Sequence, residues 1–199
     1  MKMNRVLTKK EKLDALYDEF SEKFKNEMVV TGFGDSDAPV VLIGEAPGKD
    51  EVKYGRPFVG AAGKNLTELL AGGGIDRKDV FITNVVKYRL YKKNPKTGNL
   101  VNRPVTKADL SNNLSYLMRE LEILTPVLIV TLGNTALRAV CGNSNMISDV
   151  HGRVINSLSG DRRVFPLYHP ASIIYNRSLK EVYENDVKQL QKTLKLLDF

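Results

Sequence analysis

The 199-residue sequence holds a single cysteine, Cys141, and only two histidines, His151 and His169. A lone cysteine excludes an internal disulfide and a cysteine cage for a metal. No apolar run approaches the roughly 20 residues of a membrane span, which excludes a conventional spanning helix. The opening stretch "MKMNRVLTKKEKLDAL" turns charged at once, so it lacks the apolar region of a secretory signal. No repeat and no low-complexity segment is present. A cytoplasmic, non-membrane protein is the expectation.

What is there begins with length and charge. The length suits one domain, 1–199, able to bury a substantial core, with residues 1–27 as a helical segment packed on it. The net charge of +7 and pI near 9.4 permit an anionic partner. From Lys87 to Lys107 stand seven Lys or Arg and no acid, among them Lys92, Lys93 and Arg103. Pro95, Gly98 and Pro104 make this stretch a loop, either a solvated surface or a strip that tracks a nucleic-acid backbone.

Thr8–Glu27 reads as a helix, with Thr8 and Glu11 as a capping box. "VVLIG" (40–44), "VFITNVV" (80–86) and "PVLIVTLG" (126–133) are continuous apolar runs that predict buried parallel strands. "RVINSL" and "RVFPLYH" add shorter strand patterns. Helices are predicted from Gly60 to Leu70, from Thr106 to about Leu124, from Asn134 to "CGN", and from about Leu179 to the end. The alternation predicts an α/β protein, a three-layer α/β/α sandwich around a mainly parallel four-stranded sheet. In such sheets ligands collect beyond the carboxyl ends of the strands. Gly44–Gly48, Asn84 and His169–Ser172 all fall there.

"GAAGKN" resembles a phosphate loop only faintly, since Phe58 stands where the first glycine belongs and Asn65 where Ser or Thr would meet magnesium. Nucleotide hydrolysis is disfavoured. Glu45 ends a buried strand, either to cap a loop or to perform chemistry. Pro47 and Gly48 shape a tight turn. Phe58 is either core or a platform for a flat ligand. Asn84 offers an acceptor and two donors, a match for a nucleobase edge or for a structural bond. His169 precedes Pro170 in a restrained place, and His151 is expected on the surface.

The stretches "GEAPGKDE", "GRPFVGAAGKNL", "ITNVVKYR", "NRPVT" and "FPLYHPAS" together resemble the uracil-DNA glycosylase superfamily, most closely its family 4. The resemblance implies hydrolysis of the N-glycosidic bond of deoxyuridine in DNA, with uracil released. Residue by residue, it implies that Phe58 stacks on a flipped uracil and that Asn84 reads its edge. His169 donates toward O2, Glu45 serves the sugar or a water, and Glu51 lies near C5. Gly44 and Ala46 line the same pocket. Pro47, Gly48, Ala171, Ser172, Lys92, Lys93 and Arg103 meet DNA, main-chain N–H groups of the two turns holding phosphates. Ile173 and Ile174 wedge into the vacated stack. Uracil-containing DNA is the expected partner of a monomer.

The same resemblance implies a 4Fe–4S cluster on four cysteines, which this sequence lacks. The corresponding positions fall near Tyr17, Phe20 and Asn113 and at Tyr88, where aromatic rings are expected to fill the space. No cofactor is therefore expected. Val52 replaces a frequent Asp, Ala46 stands where another branch carries a water-activating Asp, and no "RIH" segment appears. Two alternatives remain: a DNA-binding relative with little or no catalysis, and a glycosylase for another deaminated base such as hypoxanthine.

Overall fold

The computed structural model describes residues 5–197. In chain order its first half contains α1 (Lys9–Lys23), β1 (Val40–Gly44), α2 (Lys49–Tyr54), α3 (Ala61–Gly72), β2 (Val80–Asn84), β3 (Tyr91–Lys93) and β4 (Leu100–Asn102). The second half contains α4 (Lys107–Leu124), β5 (Leu128–Leu132), α5 (Asn134–Cys141), α6 (Ile147–Val150), β6 (Ile155–Asn156), β7 (Arg163–Leu167), α7 (Pro170–Tyr175) and α8 (Leu179–Leu196). Residues 1–4 of the expected N-terminal segment and the last two residues of the expected final helix lie outside the described residues.

Strand β1 is buried along its whole length, and its period-two geometry sends alternate side chains to opposite faces. Val41 and Ile43 pack with Leu13 of α1, Leu117 and Leu121 of α4, and Leu137 of α5. Val40 and Leu42 pack with Leu66 and Leu70 of α3 and with Tyr183 and Leu190 of α8. Both faces are covered, so no polar alternation survives in the strand, and three layers result.

The sheet runs β2–β1–β5–β7–β6, with β2, β1, β5 and β7 mutually parallel. The expected four-stranded sheet is corrected to five strands. Ile155 and Asn156 pair antiparallel with Val164 and Arg163, because a turn over Ser157–Gly160 folds "RVINSL" straight back onto β7. After β1 the chain crosses to β2 on one side through α3, then returns through α4 to β5 on the other. That reversal opens a crevice at the carboxyl ends of β1, β2 and β5.

The basic stretch is also corrected. It is a hairpin, β3 against β4, closed by Asn94 and Asn99 with Gly98 at φ +71°. Lys92 and Lys93 are exposed on it, whereas Lys87 and Arg89 are buried before it begins. Helix α1 has its capping box but ends at Lys23, where Phe24 turns inward.

Candidate active site

At the end of β1, Gly44 leaves room that no other residue would. A Cβ there would stand 2.4 Å from Asn84 Oδ1 and 2.6 Å from the Phe58 ring. The glycine thus brings an aromatic face and an amide to one spot. Asn84 ends β2 in register with Gly44 and is 3% exposed. Its Oδ1 is buried without a hydrogen-bond partner among the described residues, a state that ordinarily costs about 1–3 kcal/mol.

Phe58 reaches this spot through an unusual backbone. Its φ is +54°, left-handed for a residue with a Cβ. Neighbouring bonds hold it there. Glu51 Oε1 accepts from the N–H groups of Val59 (3.0 Å) and Gly60 (2.9 Å), and its Oε2 accepts from Gly48 N–H (3.1 Å). Arg77 donates to the carbonyl oxygens of Pro57 (2.9 Å) and Gly63 (3.3 Å). Both Glu51 oxygens are therefore engaged with the loop that carries Phe58.

His169 caps α7. Its Nδ1 accepts from Ala171 N–H at 3.1 Å, which leaves the ring proton of the neutral imidazole on Nε2. Burial pushes its pKa below the ordinary value, opposed by the negative charges of Glu45 and Glu51. Its ring lies 5.8 Å from that of Phe58, centroid to centroid. Glu45 is half-buried, and the Thr135 hydroxyl, in the first turn of α5, donates to its Oε2.

A cavity of about 380 Å³, within the range of small-ligand sites, lies against Phe58, Asn84 and His169, while Gly44 and Glu45 are not among its lining residues. Ala46, Glu51, Phe58, Asn84 and His169 line it, and so do Gly48, expected instead at the DNA backbone, and Asn102, which the sequence did not single out. Arg89 Nε donates to Asn102 Oδ1 at 3.1 Å, so the Asn102 NH2 group is the end left for the cavity.

Other expectations need revision. Gly48 N–H is bonded to Glu51, Ala171 N–H to His169 Nδ1 and Ser172 N–H to the His169 carbonyl (2.8 Å). These main-chain donors are already used, and Pro47 has none. Arg103 makes a bidentate pair with Asp109 (2.7 and 3.0 Å), and this pairing holds the Asp109 carboxyl well below the usual range. Ile173 packs against the α8-side core, while Ile174 and the unanticipated Tyr175 are exposed, Tyr175 at 88%. His151 is not a free surface residue, because its Nδ1 pairs with Asp186 at 2.8 Å.

The four positions implied for a cluster do not fit one. Phe20 and Tyr88 pack with Phe24 and Tyr116, ring centroids 4.5–6.4 Å apart. Asn113 donates to the Tyr88 hydroxyl at 3.2 Å. Tyr17 departs from the expected packing and donates its hydroxyl to Glu120 instead. None of these groups is a thiolate. The one thiol, Cys141, is buried on α5, and burial pushes its pKa up to about 11. Among the described residues no group of three or more His, Cys, Asp or Glu is placed to hold a metal ion, and no helix is long and apolar enough to cross a membrane.

A mainly parallel sheet with an aromatic ring, an unpaired amide oxygen and an imidazole around one cavity at its carboxyl edge is an arrangement able to hold a small flat polar ligand. The uracil DNA glycosylase superfamily model matches residues 31–196. The chain is 41% identical over 167 residues to a type-4 uracil-DNA glycosylase of Archaeoglobus fulgidus, covering 81% of this chain and 79% of that protein. It is 41% identical over 170 residues to the type-4 enzyme of Thermotoga maritima, covering 84% and 83%. The chain belongs to the uracil DNA glycosylase superfamily.

Proposed function

We propose that this chain is a uracil-DNA glycosylase that hydrolyses the bond between C1′ and N1 of deoxyuridine in DNA, acting as a single-domain monomer without an iron–sulfur cluster. The observation that carries the reading is the buried, unpartnered Oδ1 of Asn84 beside the face of Phe58. Of the buried side-chain oxygens without a partner among the described residues, this one belongs to a residue that lines the cavity, where a ligand can supply the missing donor. Uracil supplies it at N3–H, and its O4 accepts from the same amide. Cytosine mismatches both bonds, which discriminates strongly at a buried site.

The target nucleotide leaves the stack and its base lies on Phe58. As the C1′–N1 bond breaks, its electron pair goes to N1 and negative charge spreads to O2. The Nε2–H of His169 donates to that oxygen, and it strengthens as the charge grows. The neutral tautomer suffices for this. Glu45, oriented by Thr135, sits on the sugar side. Its carboxylate opposes the positive charge developing at C1′ and orients the water that adds there. The added water gives up a proton, the departing uracil anion takes one up from solvent, and an abasic site and neutral uracil remain.

Glu51 is read as the clasp of the Phe58 loop, with its carbon chain beside the base. Lys92 and Lys93 track the DNA backbone, and Ile174 with Tyr175 enters the gap in the stack. Incubating the purified protein with single- and double-stranded oligonucleotides carrying one uracil tests the reading. Abasic sites should form in at least one context. DNA binding with no release in any context would favour the non-catalytic alternative, and release of hypoxanthine alone would favour the other.

A further inference from the structure

Lys87 and Glu120 form an ion pair whose side chains are 1% and 0% exposed. Burying two charges costs several kcal/mol per ion unless their remaining hydrogen-bonding groups are satisfied. Here they are. Lys87 Nζ donates to Glu120 Oε2 at 2.6 Å, to Thr83 Oγ1 at 3.0 Å and to the carbonyl oxygen of Asn84 at 3.0 Å. The Thr83 hydroxyl and the Tyr17 phenol both donate to Glu120. Of the three acceptors around the ammonium, one belongs to the backbone of the residue that faces the cavity.

Strand geometry explains why that carbonyl needs a partner. β2 is at the edge of the sheet, and on its outer side Ile82 exchanges two hydrogen bonds of 2.9 Å with Phe33. Two residues further on, the Asn84 carbonyl faces the same side, past the bridge with Phe33. On the inner side, Val85 and Val86 N–H donate to the Gly44 and Glu45 carbonyls, both at 2.9 Å. The Asn84 peptide is thus fixed from both sides, inward by β1 and outward by one ammonium. The direction of its Cα–Cβ bond, and so the aim of the amide, follows.

We infer that Lys87, held in place by Glu120 and Tyr17, is the positioning residue that aims Asn84, and that this buried relay from helix α1 sets base selectivity. The inference rests on the reading of Asn84 as the group that contacts uracil. Lys87 then serves the site from beneath, not the DNA backbone as its place in a basic stretch implied. Sequence neighbours deliver the pieces: Thr83, Asn84 and Lys87 come from one strand and its exit, Glu120 from α4, and Tyr17 from α1.

The test compares Glu120→Gln, Lys87→Met and Tyr17→Phe with Asn84→Ala in single-turnover uracil release. Misplacing a reacting contact by about 1 Å costs on the order of 100-fold, so Glu120→Gln and Lys87→Met should approach that loss with DNA affinity unchanged. Tyr17→Phe, the mildest change, guards against variants that fail to fold and should lose about tenfold or less. Combining Tyr17→Phe or Lys87→Met with Asn84→Ala should add little to Asn84→Ala alone, since residues acting through one another are not additive. Fully multiplicative losses would overturn the inference. If the native protein releases no uracil, the functional reading fails by itself, and the positioning claim is decided by NMR. The Asn84 side-chain NH2 signals, identified by their disappearance in Asn84→Ala, should shift or broaden in Glu120→Gln and Tyr17→Phe. Unchanged signals would refute it.

Discussion

The carbonyl oxygen of Phe58 lies 1.8 Å from the place a Cβ on Gly63 would occupy. Helix α3 therefore starts against the backbone of the aromatic residue, and only a glycine permits that approach. Alanine is favoured over glycine inside a helix by about 1 kcal/mol, so propensity alone predicts that Gly63→Ala stabilises the protein. The contact predicts the opposite. Gly63→Ala should lower the melting temperature and slow uracil release by more than tenfold, on the order of the loss expected from misplacing Phe58. A stabilised and fully active variant would contradict the packing.

His169 should titrate below the ordinary histidine value of about 6.5. Burial depresses its folded-state pKa, so the neutral ring persists as the pH falls through 6.5. Its contribution to stability is complete above 6.5 and is lost as the pH falls further, through the folded value. Protonation also turns Nδ1 into a donor facing the Ala171 N–H, which breaks the cap on α7. An NMR titration should place the midpoint below 6.5, and a midpoint above it would count against the neutral donor.

The aromatic packing around Tyr88 predicts both stability and composition. Phe20→Ala should cost about 3–5 kcal/mol, as large truncations in cores do. Denaturant unfolding measures this. Iron and sulfide analysis of the purified native protein should find neither in stoichiometric amount. A bound cluster would show that the rings do not replace one.

Lys92 and Lys93 should carry the salt dependence of DNA binding. Each phosphate contact contributes about 0.7–0.9 to the slope of log affinity against log salt, so the double alanine variant should lose about 1.4–1.8. Base selectivity should not change. Arg103→Ala should leave the slope alone and lower the melting temperature, since its partner is Asp109 at the start of α4. A flattened slope for Arg103→Ala would reverse that distinction.

The strands were legible as apolar runs, and three of the site residues were legible because each ends one. Glu45, Asn84 and His169 interrupt hydrophobic patterns just where a parallel sheet exposes its ligand edge, and the family motifs marked Phe58. Residues that act through long-range contact were not legible. Lys87 and Arg103 sit in a run of positive charge, which reads as surface until Glu120 and Asp109 are brought beside them from α4. Thr135 and Asn102 carry no pattern of their own. Tyr17 read as an aromatic filler because spacing gives the face of a helix but not the target of a hydroxyl. The expectation of four strands in the central sheet, where there are five, has a similar source, since β6 is a two-residue strand created by its turn.

On the proposed function, Phe58 also bears on how bases are sampled. A left-handed conformation in a residue with a side chain costs about 1–3 kcal/mol, and that cost is met during folding, by Glu51, Arg77 and the first turn of α3. Nothing of it is left to be met when a nucleotide arrives. On the proposed function this predicts a pocket that acts as a fixed template, judging each entering base against the same geometry. The loop from Pro57 to Gly60 should then have one conformation with and without DNA, and selectivity should show in how long a base stays rather than in whether the loop closes on it.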